Sequence, residues 1–211
     1  MKRVAVIDYD AGNIFNVTRA FEYLDCDTRL CQHADDLANS DYLVLPGVGA
    51  FGDGMASLRK RDLVEPILNW VASGKPFIGI CLGMQLLLSS SEEFGNHSGL
   101  ALVPGEVRRL PSQPGLKVPN IGWHPLVPGA DIDDWSDSHL RDIEQDRDMY
   151  FVHSYAAYPE HSEHWLARTA FGDHWFCSVI GRDNVFGCQF HPEKSGVAGL
   201  RILRRFLEQT D

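Results

Sequence analysis

The chain has 211 residues, 44% of them hydrophobic and 23% charged, ordinary usage for a globular protein, which excludes collagen-like, coiled-coil and disordered architectures, and a length for one domain or at most two very small ones. A chain of this size buries about 70% of the surface its unfolded form exposes, so it needs neither disulfide nor metal to make a core. Nineteen Lys and Arg against 29 Asp and Glu leave a net charge of −10, and the missing basic footprint argues against nucleic acid as a partner.

In chain order, Val4–Ile7 reads as a fully buried strand, followed by a glycine-containing turn at Ala11-Gly12-Asn13 and a helix near Ile14–Leu24. The opening apolar run is too short for a signal peptide, and no apolar stretch approaches the ~18 residues that would span a membrane. The chain therefore reads as soluble and cytoplasmic, with no membrane partner. Thr28–Cys31 and Tyr42–Leu45 are the next strands, the latter stopped by Pro46-Gly47. Asp62–Ser73 has helical spacing, led by Asp62 and ended by Gly74, with Leu63, Ile67, Trp70 and Val71 on one face. Phe77–Ile80 is a fourth strand, and Leu82–Ser90 is expected to be a helix. Short apolar strands alternating with helices imply a parallel sheet covered on both faces.

The second half reads differently. Val107–Leu110, Met149–Ala157, Trp165–Thr169, Trp175–Ile180 and Val185–Phe190 are strand-like, and Gly181–Asn184 has the composition of a hairpin connection. A final amphipathic helix, Val197–Glu208, offers Leu200, Leu203, Phe206 and Leu207 to a core. Between Asp131 and Asp148, eight Asp or Glu stand against two Arg; this is a solvated loop or helix face, or else an acidic patch facing a partner. The fold expected is a single α/β domain over 1–211, with a mixed, mostly parallel central sheet flanked by helices and later antiparallel strands.

Five cysteines at 26, 31, 81, 177 and 188 form no C-x-x-C pair, which argues against a disulfide framework and a structural zinc. His161-x-x-His164, with His174 nearby, lacks a ligand pattern and reads as surface histidine. One cysteine stands apart: Gly79-Ile80-Cys81-Leu82-Gly83 begins where a buried strand gives way to a helix, the G-x-nucleophile-x-G elbow with Cys in place of Ser. Side chains at 79 or 83 would collide with neighbouring elements, and the turn aims the thiol outward at a helix start, which favours the thiolate. The Leu82 N–H is then placed to donate to an oxyanion. A nucleophilic Cys needs a base and a group that orients the base, and His191-Pro192-Glu193 offers both at the end of the last strand. Pro46-Gly47-Val48-Gly49, after the third strand, offers a second oxyanion donor.

Gly79-Ile80-Cys81-Leu82-Gly83-Met84-Gln85 together with Gln189-Phe190-His191-Pro192-Glu193-Lys194-Ser195 resembles the class I, triad-type glutamine amidotransferases. Asp8-Tyr9, Gly12-Asn13-Ile14, Pro46–Phe51, Val118–Trp123 and Tyr150–Tyr155 resemble the branch of glutaminase subunits of imidazole glycerol phosphate synthase. The resemblance covers essentially the whole chain. It implies that Cys81 attacks the side-chain amide of glutamine, that His191 oriented by Glu193 moves the protons, and that Leu82 with the Val48–Gly49 loop holds the oxyanion. By the same pattern Gln85, Glu93, Ser154 and Tyr155 contact glutamine, Glu93 suiting its α-amino group. Asn13, Asn120, Trp123, Tyr150 and Lys194 face a cyclase subunit of (β/α)₈ barrel form, into which the ammonia passes to form imidazole glycerol phosphate and an aminoimidazole carboxamide ribotide in histidine biosynthesis. No cofactor and no metal is implied. Two departures stand out: His124 follows Gly122-Trp123 where the family usually carries Asn, and the acidic segment is longer than its connection needs. A paralogous amidotransferase feeding ammonia to another acceptor, such as a nucleotide-sugar precursor enzyme, and a stand-alone cysteine γ-glutamyl hydrolase are the alternative readings.

Overall fold

The computed structural model describes residues 1–209, so the last two residues of the expected 1–211 domain lie outside the described ones. The elements run β1 (Arg3–Ile7), α1 (Ile14–Tyr23), β2 (Asp27–Cys31), β3 (Tyr42–Leu45), α2 (Phe51–Lys60), α3 (Val64–Ala72), β4 (Phe77–Ile80) and α4 (Leu82–Gln85). Then follow β5 (Leu88–Ser91), β6 (His97–Ser98), β7 (Val103–Arg109), β8 (Asn120–Pro125), β9 (Val127–Pro128), β10 (Asp148–His153) and β11 (Tyr155–Pro159). β12 (Trp165–Phe171), β13 (His174–Arg182), β14 (Val185–Cys188) and α5 (Gly196–Leu207) complete the chain.

The order β2-β1-β3-β4-β14 is parallel throughout, and β13, β11 and β7 extend the same sheet antiparallel. Side chains of β1 alternate between two cores. Val4 and Val6 pack with Val17 and Phe21 of α1 and Leu203 and Phe206 of α5, while Ala5 and Ile7 face Met55 and Leu58 of α2 and Ile67 and Trp70 of α3. Burial on both faces is what the unbroken Val-Ala-Val-Ile run encodes. β8 and β10 form a separate two-stranded antiparallel ribbon.

Four expectations need correction. The helix expected over Leu82–Ser90 is a single turn, Leu82–Gln85, and Leu88–Ser91 is a strand. Leu86, Leu87 and Leu88 are all fully buried, a continuous apolar run rather than a helical face, and β5 pairs with β7. Helix α2, with Gly52 and Gly54 inside it, was absent from the expectation because glycine weakens the helical signal. The helix expected from Asp62 starts at Val64, since Asp62 has φ +54° and lies in the preceding turn. Met149–Ala157 is two strands in different sheets, β10 and β11, broken at Ser154. From Asp131 to Arg147 the acidic segment forms neither helix nor strand, and Asp148 opens β10. The segment is held on the core by Trp135, Leu140 and Ile143, and the Trp135 indole N–H donates to the Leu166 carbonyl at 2.9 Å.

Candidate active site

β1, β3, β4 and β14 run the same way, so the loops that follow them meet at one carboxyl edge, the place where open α/β sheets bind ligands. Those loops carry Asn13, Pro46–Gly49, Cys81 and Gln189–Glu193. Cys188 is in register with Ile80, and the Cys81 N–H donates to the Cys188 carbonyl at 2.7 Å. One hydrogen-bonded step thus ties the nucleophile's strand to the base's strand.

Cys81 has φ +54° and ψ −110°, a conformation that costs a non-glycine residue about 1–3 kcal/mol and persists only where the surroundings impose it. The surroundings here are tight. A Cβ on Gly79 would lie 2.6 Å from the Gly83 carbonyl oxygen, and a Cβ on Gly83 would lie 1.7 Å from the Leu45 carbonyl oxygen. Because α4 is one turn long, the elbow itself rather than a long helix dipole presents the thiol.

His191 Nδ1 lies 2.8 Å from Glu193 Oε1, with both side chains buried. A carboxylate accepts, so Nδ1 carries a proton whatever the charge of the ring, and Nε2 is the nitrogen left to take and give one. Nε2 has no hydrogen-bond partner of good geometry among the described residues, but the Cys81 thiol is close enough to act on the ring's titration. Burial alone would lower the imidazole's pKa. Cys81 and Glu193 together outweigh burial and raise it to about 10. The arrangement favours a protonated ring between Cys81 and Glu193.

A cavity of about 290 Å³ opens over Cys81. Val48, Gly49, Leu82, Gln85 and Glu93 line it on one side, Ser154 and Tyr155 on the other. A larger cleft of about 610 Å³, bordered by Trp123 and part of the acidic segment, is lined by no cysteine and no histidine. Glu93 is buried; its Oε2 accepts the Phe51 N–H at 2.7 Å and so caps α2, and burial raises its pKa. The expected oxyanion donor is engaged at rest, because the Leu82 N–H donates to the Gly47 carbonyl at 3.3 Å.

Of the five residues expected on a partner face, Trp123 and Lys194 are exposed, and Tyr150 is half-buried with its ring 5.8 Å from that of Trp123. The other two point inward. The Asn13 amide donates to Glu193 Oε1 at 2.5 Å, and Asn120, buried, donates to His153 Nε2 at 3.1 Å. His124 also turns inward, edge-on to Phe151 at 5.9 Å, and burial lowers its pKa.

Three side chains were not singled out from the sequence. His153 and Val152 line the cavity; His153 donates from Nδ1 to the Tyr155 carbonyl at 2.9 Å, and burial holds its pKa down at about 4, so it is neutral. Gln189, fully buried, places its amide nitrogen 3.8 Å from Cys81 Sγ. Its signal was its position, two residues before His191, where an extended chain turns both side chains to one side.

The sequence profile of glutamine amidotransferase class-I matches residues 5–210. Imidazole glycerol phosphate synthase subunit HisH 1 of Legionella pneumophila (strain Lens) is 46% identical, over 99% of this chain and 100% of its own. Subunit HisH of Streptococcus sanguinis (strain SK36) is 48% identical, over 96% of this chain and 94% of its own. Among solved structures, PurLQS from Thermotoga maritima shares the fold with a TM-score of 0.76 at 19% identity, covering 100% of this chain and 99% of that one. Another, described as a glutamine amidotransferase, does so with a TM-score of 0.73 at 19% identity, covering 97% of both. Matched from its first strand to its last helix, and nearly half identical to those relatives, the chain belongs to the class I glutamine amidotransferase family.

Proposed function

We propose that the chain is the glutaminase subunit of an imidazole glycerol phosphate synthase, hydrolysing glutamine to glutamate and passing the ammonia to a cyclase subunit of (β/α)₈ barrel form. The reading rests above all on one observation: the strained Cys81 opens into a cavity lined by Gln85, Glu93, Ser154 and Tyr155, with the buried His191–Glu193 pair behind it. The names of the relatives favour this pathway over a nucleotide-sugar acceptor or a stand-alone γ-glutamyl hydrolase. A single domain and five free, buried cysteines are in keeping with a subunit that works in the reducing cytoplasm.

The Cys81 sulfur, as thiolate, adds to the side-chain carbonyl carbon of glutamine, and the carbonyl oxygen takes the negative charge. His191, holding the thiol's former proton on Nε2, gives it to the amide nitrogen as the C–N bond breaks and ammonia leaves. Nε2 then takes a proton from water, whose oxygen adds to the thioester. Glutamate departs as the C–S bond breaks and the thiolate returns. Glu193 keeps the ring in place and offsets its charge, and Asn13 holds Glu193. Glu93, with one oxygen engaged on α2, turns its negative charge toward the α-ammonium group.

Two donors must face the oxyanion, and at rest the Leu82 N–H is bonded to Gly47. A turn of the Pro46–Gly49 loop frees it, and docking of the cyclase near Trp123, Tyr150 and Lys194 drives that turn. Losing one oxyanion donor typically costs about 10²–10³ in rate, so the chain alone is slow. Glutamine hydrolysis measured alone and then with a cyclase barrel and its ribotide ligand tests this. A rise of orders of magnitude in the mixture supports it, and full activity alone, unchanged by the barrel, overturns the partner-gated reading. Cys81→Ala should abolish hydrolysis while the complex still uses added ammonium salts; loss of both activities in a folded complex argues against the division of labour.

A further inference from the structure

We infer that Gln189 is a further catalytic residue: its side-chain amide donates a hydrogen bond to the Cys81 thiolate and couples the nucleophile to the wall of the glutamine cavity through Gln85. The inference rests on the reading of Cys81 as the nucleophile.

Carboxamide nitrogen and oxygen are assigned by their partners, and here one backbone carbonyl decides two side chains. Gln85 lies 2.7 Å from the Tyr155 carbonyl oxygen. A carbonyl only accepts, so the Gln85 atom there is Nε2. The same Nε2 lies 3.0 Å from Gln189, and a donor must meet an acceptor, so that atom of Gln189 is Oε1. Its Nε2 is thereby turned to the sulfur, at 3.8 Å. Neither orientation can reverse without placing two N–H groups, or two oxygens, against each other inside a buried site.

Such a donor matters most when the sulfur is charged. Hydrogen bonds to ionised groups are about twice as strong as neutral ones, so the Gln189 amide favours thiolate over thiol, and it sits where no water competes because Gln189 is fully buried. His191 takes the thiol's proton, and Gln189 stabilises what remains. The chain of bonds has a second effect. With both N–H groups of Gln85 engaged, by Tyr155 and Gln189, Gln85 offers the cavity only its carbonyl oxygen, which suits a substrate ammonium or amide N–H. A glutamine that pulls on that oxygen acts on the bond that aims Gln189 at the sulfur.

Iodoacetamide alkylation of Cys81, followed against pH and located by peptide mass, reads the thiolate directly. All five cysteines are buried, but of them Cys81 alone lines the cavity; the peptide mass assigns the label and the Cys81→Ala protein supplies the blank. Gln189→Leu removes donor and acceptor together. Gln189→Glu keeps an acceptor for Gln85 but sets a carboxylate against the sulfur. The expected result is a rate near neutral pH reduced about tenfold in Gln189→Leu and further in Gln189→Glu. The midpoint of the profile should move up by about one unit, since one unit is a tenfold change in thiolate at a given pH. A merely structural Gln189 would lower the melting temperature and leave the midpoint in place, and unchanged midpoints in both variants overturn the inference. In the unaltered protein the Gln189 side-chain amide resonances should shift with the same midpoint as alkylation. Resonances that ignore the titration of Cys81 overturn the inference without any variant having to fold. If instead Cys81→Ala retains glutamine hydrolysis, the nucleophile reading itself has failed, which is a different result.

Discussion

Replacing Gly83 by Ala tests the elbow with one methyl group. The added Cβ would lie 1.7 Å from the Leu45 carbonyl oxygen and 2.7 Å from its carbon, where real Cβ contacts keep at least 3.0 Å. Relief therefore needs a movement of about 1.3 Å, and the obstacle is backbone of β3, the middle of the sheet. Overpacking of a core typically costs about 1–3 kcal/mol, and a backbone obstacle puts this case at or above the top of that range. At about 2–4 °C per kcal/mol for a domain of this size, the melting temperature should fall by at least roughly 6 °C. The movement falls two residues from Cys81, and a displacement of ~1 Å at a reacting group costs about a hundredfold in rate. The assay is thermal unfolding beside cyclase-stimulated glutamine hydrolysis, with Gly181→Ala as control, where the nearest atom to the new Cβ would be the flexible Leu166 Cδ2 at 3.4 Å. A Gly83→Ala protein that melts within about 2 °C of the original and hydrolyses glutamine within about threefold of it would refute the steric account.

Other consequences are open to measurement. His191 is raised to about 10 from an ordinary 6.5, so its proton is held more tightly in the folded state. The stability this gives is complete below pH 6.5 and is lost as pH rises through about 10. The urea-midpoint difference between native and His191→Gln proteins should thus shrink between pH 7 and about 10.5, and a constant difference sinks the assignment. Glu93→Gln keeps an acceptor for the Phe51 N–H, 2.7 Å away, but loses the charge. It should raise the KM for glutamine about tenfold with kcat within about threefold, whereas Glu93→Ala should also cost about 1 kcal/mol of stability through the lost cap. An unchanged KM in both would remove Glu93 from the glutamine site. Trp135→Ala should free the acidic segment, so that trypsin cuts faster after Arg141 and Arg147 while glutamine hydrolysis by the chain alone persists. Hydrolysis lost before cleavage would show that the segment supports the cavity.

What could be read from the sequence was what lies close together along the chain. Strands β1, β3 and β4 announce themselves because burial on both faces demands unbroken apolar runs, and the elbow and the His-Pro-Glu turn are each local geometries with few alternatives. What escaped depends on distant neighbours. Leu86–Leu88 extends a helix on paper, yet the chain turns at Leu86 and Leu87 and enters strand at Leu88, because β7 lies alongside it. That the start of α2 comes to meet Glu93 is likewise a contact with a segment some forty residues away. The inward turn of Asn13 and Asn120 depends on partners about 180 and 33 residues away. That the Leu82 N–H is engaged by Gly47 is a matter of one peptide's orientation, on which residue types are silent.

The register of β14 against β4 also bears on the order in which this protein comes to life. β14 is the last strand of the sheet in the chain, yet it occupies an interior place, between β4 and β13. Cys81 is synthesised long before His191, and no local contact can bring them together. At translation rates of about 5–20 residues per second, the 110 residues between them occupy roughly 5–20 s, during which the elbow has neither base nor finished cavity. Only when β14 slides into the open slot do thiol, imidazole and carboxylate meet. Hydrolysis of glutamine is thus a report on complete assembly of the sheet: a chain stalled or misfolded before its final strand carries the nucleophile but cannot squander the cell's glutamine.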